Sequence, residues 1–179
     1  MSYYSERELT NTIRGYLVRD SNFSVESLNE SRQIRDHYDF FLSHSSADFK
    51  LVQGLYNKLK EKGFIVFLDK IDTQDIYIQE VAGKLKEAMN KSDYILYAHT
   101  HNSIDSKWVP WELGYFDSKK GNDKILVMPI INDNGKAKYT GQEYLNQYEE
   151  IDIEKLDEIN AERAERRNRI LEEFLKTIH

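Results

Sequence analysis

The chain has 179 residues, 40% of them hydrophobic and 31% charged, with a net charge of −6 and a pI near 5.4. That length allows one domain with a real core, and the acidic balance argues against a general nucleic-acid binder, which must neutralise phosphates. Cysteine is absent, which excludes disulfides, thiolate nucleophiles and Cys-based zinc sites, and no apolar run reaches the length of a membrane span or fits a signal peptide, so a cytoplasmic location with no membrane partner is expected.

Residues 1–20 are expected to form an amphipathic helix. Ser5 and Glu8 make an S-x-x-E capping box, and Leu9, Ile13, Tyr16 and Leu17 follow at helical spacing. Residues 21–36 are polar with scattered apolar anchors and fit a short second helix before a connection. This N-terminal part can pack on the domain or on a second subunit. The core begins at Tyr38 with YDFFLS (38–43), a short aromatic-rich strand. The polar turn 44–48 opens a helix that carries Leu51, Val52, Leu55, Tyr56 and Leu59 and stops near Gly63. FIVFL (64–68) is a continuous apolar run, expected to be a strand covered on both faces, with Asp69 at its end.

A polar loop, 70–74, leads to a helix with Ile78, Val81, Leu85, Ala88 and Met89 inward. YILYA (94–98) is the third strand, an aromatic helix around Glu112 follows, and KILVMPII (124–131) is the fourth strand. Strands alternating with helices of about three turns give an α/β fold with a parallel sheet and right-handed crossovers. Beyond Ile131 the rhythm weakens. Thr140 and Glu143 make a second capping box for a short helix, 148–153 reads as an edge strand, and 157–179 as a long charged helix, apolar on one side at Ile170, Leu171, Phe174, Leu175 and Ile178.

In an open parallel sheet, ligands bind outside the carboxyl ends of the strands. Three groups arrive there: the turn Ser43-His44-Ser45-Ser46, Asp69 with its loop, and the helix of Trp108 and Glu112. The turn's hydroxyls and the N–H groups of the next helix suit phosphate or ribose oxygens, although Ser46 alone would also serve as a helix cap. In SKWVPWELGYF (106–116), Trp108 and Glu112 are four residues apart and share a helix face. A carboxylate among rings is costly to bury, so it reads either as a gripping or catalytic acid, or as a solvated residue at the boundary of a helix whose rings pack inward. His99, His101 and Asp105 do not make a tight ligand set, so no metal is expected. Ser43-His44 adjacency lacks the geometry of a catalytic triad.

In this order, these pieces resemble a Toll/interleukin-1 receptor (TIR) domain over residues 38–130. Box one appears as YDFFLSHSS (38–46), the second strand as GFIVFLD (63–69), and residues 85–92 fit the pattern before the third strand. SKWVPWEL (106–113) resembles the family signature S-x-W-x-x-x-E-L. The resemblance implies a flavodoxin-like parallel sheet of four to five strands flanked by helices. It implies a helical extension over 1–36, the TIR domain over 37–153 and a C-terminal helix over 154–179.

Some TIR domains are signalling scaffolds and others cleave NAD with an essential glutamate. The resemblance to the second kind, including Thoeris-type antiviral defence proteins, implies that Glu112 is catalytic and that Trp108 walls it. On the same ground His44, Ser45, Ser46, Asp69 and Tyr77 border the substrate. Residues 70–79 correspond to the family's BB loop, but its receptor-type Arg-Asp and Pro-Gly are absent, and Tyr77 stands where a tryptophan is common. NAD is then substrate, not cofactor, and the implied partners are further copies of the chain, joined through TIR surfaces and terminal helices, and a separate effector that responds to the product. A non-enzymatic scaffold and a nucleoside deoxyribosyltransferase-like enzyme are the alternatives.

Overall fold

A computed structural model describes residues 2–19, 35–68, 78–132 and 142–177. Five strands form one parallel sheet: β1 (Tyr38–Ser43), β2 (Val66–Leu68), β3 (Ser92–His99), β4 (Ile125–Pro129) and β5 (Glu149–Glu150). Their order is β2-β1-β3-β4-β5, the flavodoxin-like order expected. The helices are α1 (Glu6–Arg19), α2 (Phe49–Glu61), α3 (Ile78–Asn90), α4 (Trp108–Lys120) and α5 (Ile153–Thr177).

The interior strands β1, β3 and β4 and the edge strand β2 are largely apolar because both faces of the sheet are covered there, whereas β5 is a pair of exposed glutamates at the other edge. Successive side chains point to opposite sides, so each strand feeds two cores. Phe40 and Leu42 of β1, Leu96 of β3 and Met128 of β4 meet Leu9 of α1, Val52, Leu55 and Leu59 of α2 and Leu156 of α5. On the other face, Phe41, Ile95, Tyr97 and Val127 meet Leu85 and Met89 of α3 and Val109, Leu113 and Phe116 of α4.

The N-terminal segment is woven into the first of these cores. The Ser5 hydroxyl accepts from the Glu8 N–H at 3.1 Å, as its capping box requires. Tyr4 and Glu6 exchange backbone hydrogen bonds with Ile131, and Ile153 N–H donates to the Ser2 carbonyl at 2.9 Å. Leu9 is fully buried against α2. The packing is therefore on the chain's own domain. The expected helix within 21–36 falls almost wholly outside the described residues.

Several boundaries differ from expectation. The second strand is Val66–Leu68 and not 64–68, because only those residues pair with β1. The fourth is Ile125–Pro129, since Lys124 ends a short 3-10 turn. The fifth shrinks to Glu149–Glu150, the two residues that pair with Leu126 and Val127. The short helix becomes a 3-10 turn, Glu143–Gln147, preceded by Gln142, and Thr140 lies outside the described residues. The last helix begins four residues early, at Ile153, where the Asp152 carboxylate accepts the Lys155 N–H at 3.0 Å and caps the first turn.

Candidate functional site

The C-terminal rim of the sheet gathers Ser43, the last residue of β1, His99, the last of β3, and the loops that follow them. Helix α4 starts at this rim. Its opening is held by the Ser106 hydroxyl, which accepts the Val109 N–H at 3.4 Å. Pro110 sits in the first turn, where a missing N–H leaves no intrahelical bond unmade. The helix then buries Val109, Leu113 and Phe116 on the sheet, which brings Glu112 inward beside them.

Glu112 is 5% exposed, and the Ser43 hydroxyl, 1% exposed, donates to its Oε2 at 2.5 Å. The solvent-boundary alternative for this acid is thereby overturned. A buried carboxylate is tolerated only when hydrogen-bonded, and Ser43 supplies one such bond from the end of β1, an interior strand of the sheet. A charge held in low dielectric acts strongly on whatever faces it.

The rings of α4 divide between two tasks. Trp108, half-buried at the first helical position, lies on the Glu112 face of α4 and meets Trp111 edge-on with centroids 5.5 Å apart. Trp111 stacks on Tyr115 at 5.9 Å, and the Lys86 ammonium of α3 lies over both. Trp111 and Tyr115 thus seal the α3–α4 seam.

The loop after β1 brings the remaining candidates to the same rim. Ser45 is buried, Ser46 exposed and His44 half-buried, with its ring 6.0 Å from that of Phe49. Ser46 opens a 3-10 turn, Ser46–Asp48, three residues ahead of α2, so it is not that helix's cap. Burial pushes the His44 imidazole below its usual value, against a hydrogen bond to the Leu42 carbonyl that favours the cation. His99, stacked 5.5 Å from Tyr97, is pushed down by burial as well. Both rings are neutral at pH 7.

A latch joins the two rim loops. Buried Asp48 accepts from the Thr100 hydroxyl and from Asn102 Nδ2, the latter at 2.7 Å. Thr100 and Ser103 bond each other reciprocally: Ser103 Oγ accepts the Thr100 N–H at 3.0 Å and Thr100 Oγ1 accepts the Ser103 N–H at 3.1 Å. Gln142 extends the web, accepting from the Tyr97 hydroxyl at 3.2 Å and donating to the Ser103 carbonyl at 3.3 Å.

Sequence reasoning missed the Ser43–Glu112 bond and this latch. The only local signal was Asp48, an acid two residues after Ser46. Asp69 and Tyr77 lie outside the described residues, as does most of 70–79. His99 is buried while His101 and Asp105 are exposed. Among the described residues the one cluster with metal-ligand spacing is His37, Asp39 and Asp93 at the opposite edge. There Arg163 Nε lies 2.7 Å from Asp39, Ile65 N–H donates to Asp39 at 2.6 Å, and Arg166 stands 3.6 Å from Asp93. Two guanidinium groups already answer those carboxylates.

Comparison with known proteins agrees with this geometry. The TIR domain family model matches residues 40–170. The probable 3' cyclic ADP-D-ribose synthase ThsB' of Bacillus cereus is 32% identical over 160 residues, covering 83% of this chain and 82% of that protein. The putative cyclic ADP-D-ribose synthase TIR2 of Cytobacillus dafuensis is 25% identical, covering 56% of this chain and 30% of its own length. The NAD(+) hydrolase TirS of Staphylococcus aureus is 30% identical, covering 70% of this chain and 43% of its own length. The chain thus spans less than half of those two relatives. Sheet order, the signature carrying Trp108 and Glu112, and the extent of the family match together make this chain a member of the TIR domain family.

Proposed function

We propose that this protein cleaves the bond between nicotinamide and ribose in NAD+, releasing nicotinamide and either ADP-ribose or a cyclic ADP-ribose. The observation that carries this reading is Glu112, buried at the sheet rim and held by Ser43. Relatives named as cyclic ADP-D-ribose synthases and as an NAD(+) hydrolase support the choice of substrate.

The chemistry suits a single acid. The C1′–N bond breaks with both electrons going to the pyridinium nitrogen, so nicotinamide leaves neutral and needs no proton. Positive charge grows on the ribose, and the Glu112 carboxylate stabilises it more strongly where water is excluded. In hydrolysis, water then bonds to C1′ and gives its proton to solvent. In cyclisation, a nucleophile of the same molecule takes that place. Trp108, His44, Ser45 and Ser46 border the substrate on this reading, with Asp69 and Tyr77 completing the rim. NAD is substrate, and no cofactor takes part.

The same reading places the protein in the cytoplasm, in antiviral defence. Residues 37–153 act as the catalytic unit, copies associate through TIR surfaces and terminal helices, and a separate effector receives the product. No helix among the described residues is long and apolar enough to cross a membrane. The test is incubation of the purified protein with NAD+, alone and with infected-cell lysate, with products resolved by mass spectrometry. Glu112→Gln keeps the shape and the Ser43 bond but removes the charge, and nicotinamide release should fall at least a hundredfold. Unchanged turnover in that variant removes Glu112 from the reaction.

A further inference from the structure

The first half of α5 docks on the domain and the second half does not. Leu156 is buried, Ile153 and Ile159 pack beside it, and Asn160 Nδ2 donates to the Lys62 carbonyl at 2.7 Å. Arg163 reaches Asp39 and the Gly63 carbonyl, and Arg166 makes the last tie, to Asp93. Residues 167–177 are all exposed, a further run of about 16 Å at the helical rise.

The docking stripe does not end where the domain ends. Positions 156, 160 and 163 continue at the same spacing to 167, 170, 171 and 174. Ile170 is 60% exposed, Leu171 52% and Phe174 61%, with Leu175 beside them at 57%. Among the described residues, none of these four joins either hydrophobic core. Such a stripe on a helix ordinarily faces a partner. At these exposures it amounts to roughly 400–500 Å², the size of patch that marks an interaction site.

We propose that this stripe joins two copies of the chain through antiparallel α5 helices that cross near Ile170 and Leu171. The charges select this occupant and this direction. Arg166 and Glu173 stand seven residues apart, two turns, on one flank of the stripe. In an antiparallel pair each flank meets its own copy, so Arg166 lies beside Glu173 of the partner subunit, and the contact occurs twice. In a parallel pair that flank faces the one bearing Ala164, Asn168 and Leu175 and gains no ion pair. Arg166 pairs with Asp93 through one nitrogen at 3.6 Å and is 63% exposed, so its guanidinium can also reach a second carboxylate. Two stripes together bury about 1,000 Å², the threshold of a specific interface. This interface is independent of the chemistry at Glu112.

Sedimentation of the full chain over about 1–100 µM tests it. The expected result is a monomer–dimer equilibrium that Leu171→Glu and Phe174→Glu each weaken at least tenfold, with circular dichroism unchanged. Arg166→Glu and Glu173→Arg each weaken it, and the double variant restores it, because the swapped charges meet again across the axis. A wild-type monomer throughout, a dimer indifferent to Leu171→Glu, or single charge variants that the double fails to rescue overturns the proposal. Binding to anionic vesicles that Leu171→Glu abolishes, with no dimer, gives the stripe to a membrane surface instead.

Discussion

Ser43 and Glu112 lie 69 positions apart in the chain yet share one short hydrogen bond. The serine ends β1, paired on both sides within the sheet, which fixes its hydroxyl, and that hydroxyl in turn helps to fix the carboxylate. Ser43→Ala keeps the volume nearly unchanged and removes the donor. A buried carboxylate left with one bond fewer costs about 1–3 kcal/mol, and part of that cost appears as lost positioning. On the proposed chemistry, kcat should fall by roughly ten- to a hundredfold with a smaller change in KM, since the bond orients a group that acts mainly in the transition state. Steady-state nicotinamide release measures this. A Ser43→Ala enzyme with wild-type kcat would show that the Ser43 bond does not position Glu112. Trp108 and Glu112 were legible in sequence because helix period puts them on one face. Ser43 as their donor was not, because strand order decides that contact.

At the scale of elements, the close approach of α1 to α2 rests on Gly54. A Cβ there would stand 2.3 Å from the Leu9 carbonyl oxygen and 2.9 Å from the Leu9 Cβ. Backbone does not yield as a side-chain tip does, so α1 has to move off the core. Gly54→Ala gains about 1 kcal/mol of helix propensity but loses more to overpacking, for a net loss of about 1–2 kcal/mol. The thermal midpoint should drop by about 3–6 °C. Gly83 is the matched control: it is exposed on α3, and a Cβ added there would meet nothing within 4 Å. Gly83→Ala should raise the midpoint by about 2 °C, and a fall in both variants would mean that the Leu9 contact is not what Gly54 protects. Neither glycine's role is visible in the sequence, since both occur mid-helix among similar neighbours. The strands, by contrast, were visible as apolar runs. Their ends were not, because an apolar residue such as Phe64 is buried whether or not a neighbouring strand pairs with it.

At the scale of the whole molecule, the sheet and the groups that reach its C-terminal rim were readable from alternation of strands and helices, but the bonds between the rim loops were not. Asp48 and Thr100 are 52 positions apart and meet only because β1 and β3 are neighbours in the sheet. The same rim shelters two histidines whose burial has a consequence for stability. Desolvation lowers the folded-state values of His44 and His99 below those of the unfolded chain. Between the lowered folded values and the ordinary value of about 6.5, the unfolded chain binds more protons than the folded one. Stability is therefore full above that ordinary value and is lost as pH falls below it, until the folded imidazoles themselves protonate. Thermal melts should show the midpoint level near pH 7–8 and declining toward pH 5.5. His99→Gln should flatten that decline by removing one of the two sites. An equally steep decline in the variant would place the proton uptake elsewhere in the fold.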